Sequence, residues 1–227
     1  MKSKKLSALL FAIVLLLTSM MSMQPLVAAE GASSEAKIVP LTNQLSEIKS
    51  GDYVMEHDHG RIMWSINHHG FSKFSAMFPT IHATLKFDAK DPTQSKLQAT
   101  VDMTNVVTGI PPFNKRLAGE RFLNSEKFPT STFTSTSIEM LGKREMQVTG
   151  DLSFLGVTKP ATMNVVFRQA GNPGRPRGGY RIGFDGTMEI NRTKWGMPSS
   201  SLGDKVSMEL EAEFLAPGSH GTEDFKP

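Results

Sequence analysis

EMQVTGDLSFLGVTKPATMNVVFR, residues 145–168, holds two alternating apolar and polar runs that meet at a Gly and a Pro. On the first run Met146, Val148, Gly150, Leu152 and Phe154 share one face of a period-two strand, and Glu145, Gln147, Thr149, Asp151 and Ser153 share the other. Gly156 supplies a residue free to take positive φ, and Pro160 cannot donate to a ladder. The return arm is therefore expected to begin after Pro160, with Ala161, Met163, Val165 and Phe167 on its dry face. A β-hairpin wet on one side and dry on the other requires the rest of the chain to cover the dry side.

Working outward, the same period recurs. A short strand is predicted from Asp52 to Glu56, a turn at His57–Gly60 and a second strand from Arg61 to His68. In residues 71–78 the spacing of Phe71, Phe74 and Phe78 by three and four suits a helical turn as well as a bent strand. Ile81, Ala83, Leu85 and Phe87 alternate with polar neighbours, and after turn chemistry at 88–92 so do Leu97, Ala99, Val101 and Met103. Pro111-Pro112 opens a segment in which Phe113, Leu117, Ala118 and Phe122 form a stripe, predicting a short helix over about 112–124 that Gly119 weakens. Residues 130–140 are strand-prone with two fairly polar faces, and the Gly and Pro-rich segment 170–179 reads as a loop. Two further strands carry Ile182, Phe184, Met188 and Ile190, then Val206, Met208, Leu210 and Phe214. About eight one-sided strands with one helix-sized interruption predict an all-β antiparallel fold. Period two leaves a closed barrel and a two-sheet sandwich equally open.

The ends and the composition bound the function. Lys2, Lys4 and Lys5, the apolar run Leu9–Leu17 and the small-residue site Val27-Ala28-Ala29 read as a signal peptide over residues 1–29, cleaved near Ala29, with the periplasm as destination. These three lysines account for the net charge of +3, so the remainder is balanced and has no basic cluster for nucleic acid. With no Cys, stability must come from the core rather than from disulfides. Residues 30–51 read as a linker or loosely held arm and residues 216–227 as a disordered tail, leaving 52–215 as the domain.

His57, His59, His68, His69 and His82 invite a metal reading, but His57 and His59 flank a turn and no His-x-x-Glu-His helix accompanies them. No Gly-x-Ser-x-Gly elbow or phosphate-cradling Gly loop is present, so no enzyme is expected. Ten of the 14 Met follow the leader, and flexible thioethers suit a site that moulds around a floppy chain, although on the residues alone ordinary core is the favoured reading.

Several segments together resemble the YceI-like family of periplasmic lipid-binding proteins. They are Gly51-Asp52-Tyr53; His59 with His68 and Gly70; the run Arg121 to Pro129; Thr132 to Thr136; Gly150-Asp151-Leu152 through Gly156 to Pro160; and Ile190 to Met197. The resemblance implies a lipocalin-like eight-stranded antiparallel β-barrel with one short helix over an apolar lumen. That lumen would hold a polyisoprenoid such as a quinone or polyprenyl lipid. Its expected lining is Phe74, Phe78, Leu97, Val101, Leu117, Phe122, Val148, Leu152, Phe154, Met163, Val165, Phe184, Met188, Met208 and Leu210. His59, His68, Arg116, Arg192 and Trp195 are the head-group candidates. Arg116, where many family members carry His, and the Pro111-Pro112 opening depart from the family pattern. A contrasting expectation is a stress-protection or interaction module serving an inner-membrane cytochrome. Homodimerisation is left open.

Overall fold

A computed structural model describes residues 38–174, 179–217 and 219. The leader expected over 1–29 and most of the tail expected over 216–227 lie outside these residues. The strands are β1 (Val39–Thr42), β2 (Gly51–Met55), β3 (Arg61–His68), β4 (Ser72–Phe78), β5 (Ile81–Phe87), β6 (Lys96–Asp102), β7 (Thr130–Met140), β8 (Glu145–Phe154), β9 (Val157–Asn172), β10 (Arg181–Asn191) and β11 (Lys205–Leu215). Among the described residues a single α-helix, α1 (Pro111–Ala118), interrupts them between β6 and β7.

From β5 to β11 each strand pairs antiparallel with the next. β11 then closes the sheet. Val206 to Glu211 pair with β3, and Phe214 and Leu215 pair with β2. β2 in turn pairs with β5, and β3 with β4. β2 and β3 are thus two halves of one broken stave: residues 56–60 stand opposite only Ala212 and Glu213. β4 and β5 form a second broken stave, parted at Pro79, whose missing N–H cannot serve a ladder. The result is a closed eight-stranded antiparallel barrel, which answers what the period alone left open.

Besides β9 running on through Asn172 into the segment read as a loop over 170–179, the local chemistry differs from the expectation in four places. First, β9 begins at Val157 rather than after Pro160. Leu155 (φ 51) and Gly156 (φ 75) both lie in the left-handed region, as a two-residue primed hairpin requires. Counting from the Phe154–Val157 pair, Pro160 opposite Asp151 falls at a position where the strands do not exchange hydrogen bonds. Pairing with β10 starts only at Met163, so the missing donor of Pro160 breaks nothing. Second, the ambiguous segment 72–78 is strand, held between β3 and a bridge from Met77 to Val107.

Third, α1 stops at Ala118 rather than near 124. Gly119 caps it in extended conformation, and the chain folds back so that Leu123 N–H reaches Leu117 O at 3.0 Å and Ser125 Oγ donates to Met103 O at 2.6 Å. Phe122 reaches the barrel from this turn, not from the helix. Fourth, residues 38–51 are not a loose arm. β1 pairs with the end of β9, and the 3-10 turn Leu45–Glu47 buries Leu45, with Ile48 buried just after it. This segment packs under the barrel end that also holds Phe167, Ile182 and Leu215, all fully buried. There Tyr53 Oη donates to Lys49 O at 2.7 Å, and the Tyr53 and Tyr180 rings lie 6.3 Å apart.

Up-and-down topology sorts the connections between two ends. One collects β1 and the β5–β6, β7–β8 and β9–β10 connections. The other collects the β3–β4 turn, α1 with its return, the β8–β9 turn and the β10–β11 connection.

Candidate functional site

Each strand turns its dry face into the barrel, and those faces leave a cavity of about 620 Å³ between them. An apolar cavity of only about 150 Å³ is enough to hold benzene, so this one has room for roughly four such groups. Its floor is aromatic: Phe184 and Phe214 line it edge to face with ring centroids 6.2 Å apart, and the buried Phe167 backs Phe184 at 5.8 Å. On one wall Trp64 packs against Phe74 at 5.9 Å and Phe78 at 6.2 Å, and Phe74 meets Phe113 of α1 edge-on at 5.2 Å. An aromatic track therefore runs from β3 up to the helix that covers the α1 end.

β7 looked polar on both faces because it turns Ser131 and Ser135 inward beside Phe133. The structure removes their polarity from the lumen. Ser131 Oγ donates to Ser153 O at 2.8 Å, and Ser135 Oγ accepts from Leu97 N–H at 2.8 Å. Satisfied within the wall, neither hydroxyl needs a partner from the cavity. Gly150, also inward on β8, is required by close approach: a Cβ there would stand 2.5 Å from both Phe133 Cζ and Thr134 O.

At the α1 end the lining changes character. The exposed guanidinium of Arg116 lies over the rings of Phe113 (5.9 Å) and Phe122 (6.0 Å), and that of Arg121 lies over Phe122 at 6.0 Å. His68 and His69, edge to face at 4.6 Å, border the same opening together with residues 197–202. Charge thus stands at the mouth and apolar surface inside it.

All fifteen apolar residues expected from the sequence lie on the cavity wall, Leu117 and Phe122 from α1 and its return and the others from the staves. The head-group candidates divide. His68 and Arg116 are at the mouth. His59 is not: its backbone N–H and ring Nδ1 both engage Glu56 at the β2–β3 break, partway along that stave. Trp195 is also outside the lumen, buried with its Nε1 donating to Leu152 O at 3.0 Å. Arg192 touches the cavity but its guanidinium is consumed. It is 4% exposed and donates to Gly203 O (3.1 Å), Pro198 O (2.9 Å), Ser200 Oγ (3.0 Å) and Asp204 Oδ1 (3.4 Å). This clasp shapes the β10–β11 connection, which forms one side of the mouth.

Sequence reasoning missed Trp64, Ile66, Met146, Phe113, Met197 and Arg121 as lining residues. Trp64 and Ile66 share the inward face of β3 with Ile62, and Met146 stands on the dry face of β8, so alternation carried the signal. Met197 lies in a connection with no period to read. The histidines do not assemble: His57 stacks on His82 at 6.3 Å, away from the mouth pair, and among the described residues no three His, Asp or Glu side chains gather as metal ligands.

A profile of the YceI-like domain matches residues 53–214. A UPF0312 protein from Vibrio parahaemolyticus is 33% identical over 167 residues, covering 73% of this chain and 87% of that protein. The crystal structure of BcnA from Burkholderia cenocepacia superposes with a TM-score of 0.60 at 21% identity, over 68% of this chain and 95% of its own. A structure described as a polyisoprenoid binding domain from Saccharophagus degradans, implicated in plant cell wall breakdown, superposes at 0.54 with 14% identity, over 74% and 100%.

Proposed function

The chain belongs to the YceI-like domain family, and from that premise we propose that it is a binding protein for a long apolar lipid, a polyisoprenoid such as a quinone or polyprenyl lipid, held in the lumen without catalysis. The observation that carries this reading is a mainly apolar cavity of about 620 Å³ that opens at the α1 end beside His68, Arg116 and Arg121, with Arg61, Asp185 and Glu211 the only other charged residues, besides the tied-up Arg192, that border it among the described residues. The name of the Saccharophagus degradans neighbour points to the same ligand class. Each buried methylene contributes about 0.8 kcal/mol, so a five-carbon unit contributes about 4 kcal/mol before ordering costs. Affinity then resides in the tail, and the head group, near His68 and Arg116, adjusts it. The signal-like pattern of residues 1–29 supports the periplasm as the site of this carrier or sequestering role.

The test is a tail-length series. Trp64 lies on the cavity wall and Trp195 outside it, so the fluorescence of Trp64 reports lumen occupancy once the Trp195 signal is subtracted with a Trp64→Phe variant. Delipidated protein is titrated with quinones that share one head group and carry from no to many isoprene units. Affinity should rise with each unit and level off when the lumen is full. A head group that binds as tightly without any tail would overturn the reading.

A further inference from the structure

The most exposed large apolar side chain among the described residues is Phe71, 91% accessible, at the tip of the β3–β4 turn. It is held there rather than left loose. His69 (φ 56) and Gly70 (φ 80) make the tight turn, Phe71 N–H bonds to His68 O at 3.0 Å, and Gly70 N–H bonds to Asn67 Oδ1 at 2.6 Å. A ring fixed in water beside the opening of an apolar cavity has no role in the core. At the same end Ile110, 55% accessible, immediately precedes α1.

Exposed cations share this end of the barrel. Lys73 leaves β4 on its outer face, Lys115 lies in the last turn of α1, Lys194 lies in the 3-10 turn after β10, and all three are exposed. None has a carboxylate partner among the described residues, whereas Lys205, farther along, is paired with Glu189. Arg116 and Arg121 add to the collar from the mouth, against Glu120 and Glu126 on the same return. Because the chain beyond the leader is balanced in charge, this excess is a local feature of the mouth end.

We infer that the mouth end docks on an anionic lipid bilayer, with Phe71 and Ile110 entering the interface and the lysine collar meeting lipid phosphates. The purpose of the surface rests on the lumen reading above, since docking would let an apolar tail pass between bilayer and barrel without crossing water. Its geometry does not depend on that reading. Apolar anchors ringed by cations match an interfacial, charge-selective mode of membrane attachment.

The experiment is vesicle flotation with protein purified in its exported form, before and after lipid extraction. Vesicles are phosphatidylcholine alone or mixed with phosphatidylglycerol, at low and at high salt. Wild type should float with the anionic vesicles and less so as salt rises. Phe71→Ser with Ile110→Ser should weaken partition about a hundredfold, about tenfold for each inserted apolar side chain removed. Reversing Lys73, Lys115 and Lys194 to Glu should weaken it by at least about fivefold per cation. Leu141→Ser, which removes an exposed apolar residue from the β7–β8 turn at the opposite end, should change nothing. The inference is overturned if wild type ignores anionic vesicles at low salt, if both mouth variants float like wild type, or if Leu141→Ser weakens binding as much as they do. Vesicle binding with a flat tail-length series would remove the lumen reading and leave the docking surface standing; the converse result would remove the docking surface alone.

Discussion

Replacing Leu152 with Trp separates a lumen from a core. Leu152 is half-buried on β8 and borders the cavity, while Ile182 on β10 is fully buried at the packed end. A larger ring at 152 has about 620 Å³ of cavity to enter, so the stripped barrel should tolerate Leu152→Trp with a change within about 1 kcal/mol. If the ring displaces one five-carbon unit of the tail, the gross loss is about 4 kcal/mol, an upper bound of roughly a thousandfold. Because a flexible tail can shift, a ten- to hundredfold loss is the expected reading. Ile182→Trp has nowhere to go and should cost about 1–3 kcal/mol by overpacking, roughly 2–12 °C in melting temperature for a domain of this size. Melts must use lipid-extracted protein, since a bound ligand raises apparent stability by mass action. Ligand content is read by organic extraction and mass spectrometry. The reasoning is refuted if stripped Leu152→Trp melts as low as Ile182→Trp while its lipid content matches wild type.

Three further outcomes test the scaffold. Gly156→Ala places a Cβ 2.6 Å from Phe128 Cε1 at a φ of 75, so chemical denaturation should show a loss of at least about 1–2 kcal/mol. Arg192→Ala removes a buried clasp on the β10–β11 connection and should cost about 1.5–3 kcal/mol, with hydrogen exchange rising over residues 197–204. Burial, then the neighbouring Tyr180, push the Tyr53 hydroxyl above its ordinary ionisation range. The unfolded chain ionises this group near pH 10 while the folded one keeps it neutral, so stability holds below about pH 10 and falls above it by up to about 1.4 kcal/mol per pH unit. A Tyr53→Phe variant should flatten that alkaline limb in melts taken across the range.

Alternation was readable wherever a stave has water on one side and the lumen on the other, as in β6, β8, β10 and β11. The lining residues on those strands follow from position alone. β7 obscured its own face because Ser131 and Ser135 point inward and are satisfied by Ser153 O and Leu97 N–H, partners on neighbouring strands. Closure was legible only through family resemblance, since it rests on β11 reaching two separate segments, β2 and β3. The helix was placed but overrun, because a stripe continuing through Phe122 does not reveal that Gly119 turns the chain back. His59, Arg192 and Trp195 were recognised as notable but misassigned. Their partners at Glu56, residues 198–204 and Leu152 are set by tertiary geometry that no local pattern encodes.

Native mass spectrometry of the protein purified from its own host, under conditions that preserve non-covalent contacts, tests the lumen most directly. The account predicts one lipid-sized adduct per barrel that organic extraction removes and an isoprenoid-tailed lipid restores. A bare mass in every preparation, unchanged after incubation with such lipids, would contradict it.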